Sequence, residues 1–438
     1  MKRIPQTALW LILYGLLVLA PLLILLIAPG PPGREFLREL SVALGFAGLS
    51  LMGLQFIPTA RLPGVGRVFP IDTLYTFHHH SSVVGFVLVL LHPILLFINN
   101  PYTLRLLNVL TAPMRARAAV GAVAFTALLV LTSVYRKQIR LRYEAWRLLH
   151  DILAVGLVAL ALYHMFMLNY RMSVPAQRVL WIIYPIVWAG MMGYIHLIRP
   201  LLMLKHPYEI VEIIPERGQS YTLRLAPVGH PGIRFHPGQM AWLTLKSSPF
   251  WIQEHPFSFA SSAERTETID FAIKELGDMT AQVRELPPGH RVYMDGPFGV
   301  FGIDRRPAPG YVFIAGGIGI TPLLSMMRTM ADRGDKTPVI FFYGNPTWES
   351  IAFREEIDAL GKVLNLKTVH VLEKPSDDWE GEKGFINRDI LDRHLPDDRK
   401  EYHYFLCGPL PMIYAVERHL LNLDIPLRAI VAERYQMA

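Results

Sequence analysis

"YTFHHHSSVVGFVLVLLH" runs from Tyr75 to His92. Three consecutive histidines open a strongly apolar run, and a fourth lies near its far end. The surrounding apolar stretch, about 73–98, exceeds the roughly 20 residues that a helix needs to cross a bilayer. Ionisable side chains are rare and expensive there, and they are usually functional when present. His78 stands 14 residues before His92, His79 stands 13 and His80 stands 12. At 100° per residue, 14 steps return to within about 40° of the starting face, whereas 13 and 12 steps rotate away by about 140° and 120°. Only His78 therefore shares a face with His92. A local distortion near Ser81-Ser82 would hand that place to His79 or His80.

The same spacing recurs in a later apolar run, about 146–168, which carries His150 and His164, again 14 apart. Such a pair is separated by about 21 Å along a helix axis. Candidate membrane helices fall at about 8–28, 40–57, 73–98, 117–134, 146–168 and 179–198. The third and fifth of these run in the same direction. His78 then pairs with His150 near one face of the bilayer, and His92 with His164 near the other. A single membrane histidine is more often a hydrogen-bonded packing residue, and His196, without a partner at this spacing, is left in that class. Two matched pairs on parallel helices point instead to two metal centres, each held by two imidazoles. Bis-imidazole ligation of haem closes both axial positions, which suits electron transfer rather than oxygen binding at iron. The two centres, about 20 Å apart, would form a two-step wire.

Composition agrees with a membrane half and a soluble half. Hydrophobic residues make up 52% of the 438-residue chain, and the net charge is +7. Residues 1–200 hold 17 Lys/Arg against five acids, so the second half is slightly acidic. The basic excess lies among apolar runs and reads as membrane orientation, not nucleic-acid binding. The 40–57 run is short and rich in glycine, the weakest of the six. The densest basic cluster, "YRKQIRLRYEAWR", falls on the same side as the N-terminus, which is expected to be cytoplasmic. Lys2-Arg3 and the apolar run after them read as a retained first span rather than a cleaved leader. The one cysteine, Cys407, excludes an intramolecular disulfide.

Beyond residue 206 the pattern changes. Short strand-like stretches between Pro/Gly turns fill about 206–305, and alternating strands and helices fill about 310–438. "HPFSFASS" (His255–Ser262) follows an apolar strand and offers Pro-aromatic-Ser at its end, a plausible flavin seat. "FAIKELGDMT" ends in Gly-x-x-Thr and would open a helix toward a pyrophosphate. "YVFIAGGIGITPLLSMM" (Tyr311–Met327) is a buried strand, a glycine turn and a helix start, the pattern of a dinucleotide phosphate cradle. "YHYFLCGPLPM" (Tyr402–Met412) ends another strand in Cys-Gly-Pro. Taken alone, each has a plainer reading as a turn, a cap or a buried thiol.

Taken together, the paired histidines, "HPFS", "GDMT", "GGIGITP", "CGP" and the terminal "ERYQMA" resemble the ferric reductase/NADPH oxidase family, in family order over about 40–438. The resemblance implies an all-α six-helix membrane bundle over 1–200. An antiparallel β-barrel FAD domain follows over 206–305, and an α/β Rossmann-like NAD(P)H domain over 310–438. It implies that His78, His92, His150 and His164 ligate two b-type haems. It places His255, Pro256, Phe257 and Ser258 on FAD, with Phe257 against the flavin and Ser258 near its N5. Lys274, Gly277 and Thr280 would serve the FAD pyrophosphate side. Gly316, Gly317, Gly319 and Thr321 would line the nicotinamide nucleotide, with Cys407, Gly408 and Pro409 beside the nicotinamide. Tyr435 would stack on the flavin, and Cys407, Ser258 and Tyr435 would be the catalytic group. The implied activity is transmembrane electron transfer from NAD(P)H to an outer acceptor. That acceptor is O₂, with superoxide as product, or alternatively a ferric chelate, a quinone or a redox partner. Arg34, Arg38 and Arg105 are candidate outer-side charges. The expected setting is a bacterial inner or plasma membrane, with the flavin and nucleotide domains cytoplasmic, no nucleic-acid partner and no obligatory protein partner. Pro346, in "YGNPTWES", stands where relatives often carry a basic residue that reads the ribose, so NADH and NADPH both remain open. A non-catalytic haem anchor or sensor is the reading of another class, and an intact nucleotide cradle argues against it.

Overall fold

The computed structural model describes residues 5–28, 30–66, 68–251 and 253–434. They form two compact units, one ending at Ile198 and one beginning at Arg199, with Phe69–Asp72 grouped with the second. Each is considered by itself.

The first unit is helical. Among the described residues, six helices are long and apolar enough to cross a membrane: Gln6–Ile27, Phe36–Thr59, Ile71–Asn99, Met114–Val134, Tyr143–Leu168 and Pro175–Lys205. We number these spans one to six. The second span, the weakest in sequence, is the most enclosed. In it 61% of the apolar window is buried, against 28% or less in the others. Its glycines explain this, because they let neighbouring helices approach closely. A Cβ at Gly48 would lie 2.9 Å from a Val89 methyl, and one at Gly45 would lie 3.2 Å from the His92 ring. The opposite flank of the second span packs on aromatic residues of the sixth, with Phe46 and Trp181 ring centroids 5.6 Å apart. Trp181, Tyr184 and Trp188 are all buried there. The sixth span is not one regular helix: Pro175–Gly193 is α-helical, Tyr194–Ile198 forms a π-turn and Arg199–Lys205 resumes the α form. Such bulges often mark functional positions.

The second unit begins with a six-stranded antiparallel sheet. Its strands are β1 (Tyr208–Glu216), β2 (Ser220–Pro227), β3 (Met240–Thr244), β4 (His255–Ser258), β5 (Ile269–Lys274) and β6 (Arg291–Phe298). Their order is β4-β3-β6-β1-β2-β5, and a bridge between Phe259 and Phe271 joins the two ends, closing a barrel. Its core is built from alternate side chains such as Leu223, Leu225, Phe271 and Ile273.

A second six-stranded sheet follows, entirely parallel, with order β10-β9-β8-β7-β11-β12. Its strands are β7 (Tyr311–Gly316), β8 (Val339–Asn345), β9 (Leu366–Leu372), β10 (Glu382–Lys383), β11 (His403–Cys407) and β12 (Ile430–Glu433). A parallel sheet is covered on both faces, so its strands read as unbroken apolar runs. Period-two geometry still sorts them. Phe313, Ala315, Phe405 and Cys407 enter one core, whereas Val312, Ile314, Tyr404 and Leu406 enter the other. Each fully buried large apolar side chain contributes about 1.5–3 kcal/mol. The central strands therefore hold the carboxyl ends of the sheet rigid, which is where open α/β sheets bind ligands.

Candidate functional site

In the membrane unit, the helical phase that joins His78 to His92 also sets them against the fifth span. The ring centroids of His78 and His150 are 6.2 Å apart, with the planes at 60°. His79 and His80 are exposed and pack edge to face on each other at 5.3 Å, and His80 Nδ1 bonds the Thr76 carbonyl at 2.8 Å. At the other end, His92 and His164 lie within electrostatic reach of each other. Three of the four rings have Nδ1 engaged. His92 Nδ1 meets the Ser41 carbonyl and hydroxyl, each at 2.9 Å. His164 Nδ1 bonds the Arg115 carbonyl at 2.7 Å. His150 Nδ1 meets Ser133 Oγ at 3.2 Å, and that hydroxyl also accepts from Trp146 Nε1 at 3.2 Å. A carbonyl partner fixes Nδ1 as the protonated nitrogen and leaves Nε2 as the free donor, the usual arrangement of a metal-bound histidine.

The His78–His150 pair has the spacing that a haem would need. A ligating nitrogen stands about 2 Å from its metal and roughly 1.1 Å from its own ring centre, so two imidazoles across one ion have centroids about 6 Å apart. The His78–His150 separation has that value. Among the described residues no cluster of three or more His, Cys, Asp or Glu could hold a bare ion. A haem brings its own four nitrogens and asks only two of the protein.

Two polar clusters accompany the pairs. Glu39 accepts from Arg34 Nε at 2.7 Å and from Arg171 at 2.5 Å, while Arg34 lies over the Tyr170 ring at 4.1 Å. This clasp ties the connection after the first span to the one after the fifth. It also engages Arg34, one of the expected outer-side charges. His196, expected to be a hydrogen-bonded packing residue, has Nε2 3.7 Å from Asp151, the neighbour of His150, and lies within the π-turn.

In the barrel, β4 presents "HPFS" along β3, with His255 opposite Leu243, Pro256 opposite Trp242, Phe257 opposite Ala241 and Ser258 opposite Met240. Ser258 is buried, and Phe257 packs partly on the barrel core. The short helix Asp278–Val283 follows Gly277. The Thr280 hydroxyl accepts from Leu276 N–H at 2.9 Å and Gly277 N–H at 3.1 Å, and donates to the Gly277 carbonyl at 2.9 Å. It is spent on shaping this turn, which leaves the helix N–H groups as the donors there.

In the parallel sheet, β7 ends at Gly316 and the chain turns through Gly317–Gly319 into the helix Ile320–Arg333. The Thr321 hydroxyl donates to the Ile318 carbonyl at 2.8 Å, holding the turn. Close packing requires the glycines. A Cβ at Gly319 would stand 2.3 Å from the Cys407 carbonyl, and one at Gly408 would stand 2.9 Å from Gly316 N. Pro409 Cδ would come within 2.8 Å of a Cβ at Gly316. The two motifs, about 90 residues apart in sequence, are thus one structure. Cys407 is buried, level with Ala315 on one side and with Glu433 on the other. Burial pushes the Glu433 carboxyl up to about 8. Tyr435 lies outside the described residues.

A cavity of about 290 Å³ opens beside the glycine turn. Its lining includes Gly317, Asn345, Pro346 and Ser350 together with Arg217 and Lys274. Lys274, expected on the flavin side, therefore shares a cavity with the nucleotide turn.

Several residues with functional geometry had no signal in the sequence. Ser41, Ser133 and the Arg115 carbonyl reach the histidines from other helices, and Arg217 reaches the cavity from another domain. Glu433 was visible only as part of "ERYQMA".

Three family models match successive parts of the chain. Residues 44–162 match the ferric reductase like transmembrane component, residues 219–301 an FAD-binding domain and residues 313–418 an oxidoreductase NAD-binding domain. The chain is 33% identical over 166 residues to NADH-cytochrome b5 reductase 2 of Scheffersomyces stipitis, covering 37% of this chain and 56% of that protein. It is 31% identical over 154 residues to NADH-cytochrome b5 reductase 1 of Candida glabrata, covering 34% and 54%. The chain thus spans about half the length of these curated relatives. Among solved structures, the cytochrome b5 reductase domain of Ulva prolifera nitrate reductase aligns with a TM-score of 0.46 at 22% identity, covering 52% of this chain and 96% of that one. Flavohemoglobin from Malassezia yamatoensis aligns with a TM-score of 0.48 at 17% identity, covering 91% and 98%.

The matches define an integral membrane oxidoreductase with FAD- and NAD-binding domains. The order of the three matches is that of a ferric reductase/NADPH oxidase-type fusion, a ferric reductase like transmembrane component followed by FAD- and NAD-binding domains.

Proposed function

We propose that the chain carries electrons from cytoplasmic NAD(P)H across the bilayer to O₂ on the outer side. Each NAD(P)H oxidised would yield NAD(P)⁺, a proton and two superoxide ions from two O₂. The observation that carries this reading is the opposed His78 and His150 rings, 6.2 Å apart, on helices that repeat the pair 14 residues on. In this reading residues 1–200 form the membrane domain, 206–305 the flavin domain and 310–438 the nucleotide domain. The count of Lys and Arg in the connections supports a cytoplasmic N-terminus. The resemblance supports a bacterial plasma membrane as the setting, although the curated relatives quoted above are fungal.

When bound, FAD would accept a hydride and release its electrons singly, and two b-type haems, each held by two histidines, would carry single electrons. The chain's own residues bind and orient. His78 with His150, and His92 with His164, would each hold one haem. Ser41 and the Arg115 carbonyl keep the outer pair in the tautomer that presents Nε2. His255, Pro256, Phe257 and Ser258 would seat the flavin, with the N–H groups after Gly277 and Thr280 toward its pyrophosphate. Gly316, Gly317, Gly319 and Thr321 would admit the dinucleotide backbone, with Lys274 opposite. Cys407, Gly408 and Pro409 would flank the nicotinamide, and Tyr435 would cover the flavin. Cys407, Ser258 and Tyr435 would be the groups closest to hydride transfer. Glu433, level with Cys407, supplies a carboxyl that burial keeps protonated at neutral pH.

The test is NAD(P)H oxidation by purified protein in lipid, with O₂ or a ferric chelate as acceptor, with and without superoxide dismutase. Dismutase-sensitive reduction of a superoxide probe is the expected result. Dismutase-insensitive Fe²⁺ formation would make the protein a ferric-chelate reductase instead. Failure of either nucleotide to bleach the flavin would overturn the enzyme reading.

A further inference from the structure

The cavity beside the glycine turn bears on which nucleotide is used, and this inference rests on the dinucleotide reading above. Position 346, where a basic residue would be sought, is proline. Positive charge nevertheless reaches the same place from elsewhere. The β1–β2 hairpin turns through Arg217, Gly218 and Gln219. Gly218 has φ +69°, and a Cβ there would stand 2.5 Å from the Ser350 carbonyl. The tip of the flavin-domain hairpin is therefore pressed against the loop that follows β8, and only glycine fits at that contact. The adjacent Arg217 lines the same cavity as Asn345, Pro346 and Ser350.

Three further observations point to an anionic, hydroxyl-bearing occupant. Asn345 is 2% exposed, and its amide nitrogen lies beside the Tyr343 hydroxyl without a hydrogen bond of acceptable geometry. That hydroxyl already donates to the Gly317 carbonyl at 3.1 Å. A buried donor left this way calls for an acceptor from a ligand. Lys274 adds a second cation to the wall. Arg217 itself is held by Glu355, an exposed carboxylate at the start of the helix Arg354–Val363, which Arg354 also contacts at 3.3 Å. The bond to Arg217 is the main reason the Glu355 carboxyl is lowered to about 2. Arg354 is fixed in turn, over the Trp348 ring at 4.5 Å and on the Trp348 carbonyl at 3.2 Å. Two guanidinium groups thus share the Glu355 carboxylate, with Glu216 also in electrostatic reach of Arg217 and Glu349 in reach of Arg354.

We propose that this cavity receives the adenosine ribose of the dinucleotide and that Arg217 is a specificity-determining residue which reads the 2′-phosphate, so that the chain selects NADPH. Asn345 donates to the ribose oxygens, and Lys274 faces the pyrophosphate. Glu355 competes with the phosphate for the Arg217 guanidinium and so sets how strongly the two nucleotides are distinguished. The cavity runs from Gly317 to Ser350 along the carboxyl ends of β7 and β8, the direction a dinucleotide takes away from the glycine turn.

The test measures binding of 2′,5′-ADP and of 5′-ADP to the full-length chain in detergent by calorimetry. Wild type should prefer 2′,5′-ADP. Arg217→Ala should reduce that preference by roughly 10–100-fold, the usual worth of a charge-assisted bond to phosphate. Arg217→Lys should restore part of it, because the charge remains but the fork is lost. Glu355→Gln should increase it. Flavin content confirms that each variant is folded. Equal affinity for the two probes in wild type, or a preference that survives Arg217→Ala, overturns the inference while leaving a dinucleotide reductase in place. Binding of neither probe, together with no flavin bleaching by NADH or NADPH, overturns the dinucleotide reading as well.

Discussion

The Ser41 hydroxyl donates to the backbone carbonyl of His92 at 2.7 Å, while His92 Nδ1 meets the hydroxyl and carbonyl of Ser41 at 2.9 Å each. One small residue of the second span therefore fixes both the backbone and the ring of a residue in the third. Ser41→Ala keeps the carbonyl acceptor and removes the hydroxyl. Loss of such an outer contact typically costs about 10–100-fold in metal affinity, and the retained carbonyl places this variant near the low end. After extensive detergent washing, the expected result is less haem per chain than wild type. An unchanged haem content would show that Ser41 does not support a ligand.

The two histidine pairs make separable predictions. His92→Ala or His164→Ala should remove one of two haems and abolish transfer to the outer acceptor. Reduction of a soluble dye by NAD(P)H should persist, because the flavin and nucleotide residues lie in the other unit. A pyridine haemochrome assay that still finds two haems per chain would refute the ligand assignment. His79→Ala and His80→Ala should leave both haems in place.

Gly319→Ala tests the junction of the two nucleotide motifs. The new methyl would stand 2.3 Å from the Cys407 carbonyl, and neither backbone can yield cheaply. Overpacking of this kind costs about 1–3 kcal/mol. Flavin bleaching by NAD(P)H in stopped flow should slow at least about tenfold, since a displacement of about 1 Å can cost a hundredfold in rate. Haem content should be as in wild type. Bleaching at the wild-type rate would mean that the turn does not position the nucleotide.

Glu433 makes a prediction about pH. Burial raises its carboxyl from 4.5 to about 8, so the folded state binds its proton more tightly than the unfolded state does. Its stabilising contribution is complete below about pH 4.5 and is lost as the pH rises through about 8. Glu433→Gln cannot lose a proton. The thermal midpoint of wild type should therefore fall relative to that of Glu433→Gln between about pH 5 and pH 8.5. Parallel curves for the two proteins across that range would show that Glu433 ionises normally.

Much of the fold was legible because period and length translate directly into elements. Six apolar runs gave six helices, and the strand-glycine-helix pattern at Tyr311 gave the first strand of a parallel sheet. The second span looked weak because hydropathy measures fitness for lipid, whereas this helix is mostly enclosed by protein and is written in glycine. At the candidate sites, residues that act from their own helix or strand could be named from spacing. Ser41, Ser133 and Arg217 could not, because each serves a residue on another element and only the packed chain brings them together. Pro346 shows the same limit in reverse, since charge missing at one position is supplied in space by a hairpin about 130 residues earlier.

Gly45 touches nothing chemically, yet a Cβ there would meet His92 Cγ and Nδ1 at 3.2 Å. The bare backbone at that point is the wall against which the imidazole rests. A larger residue there would press on the ring that is bonded to the Ser41 carbonyl. The dihedral between two opposed imidazole planes shapes the magnetic anisotropy of an iron held between them. In the proposed haem held by His92 and His164, the electron-spin signature would then be shaped, in part, by a residue that owns no side chain.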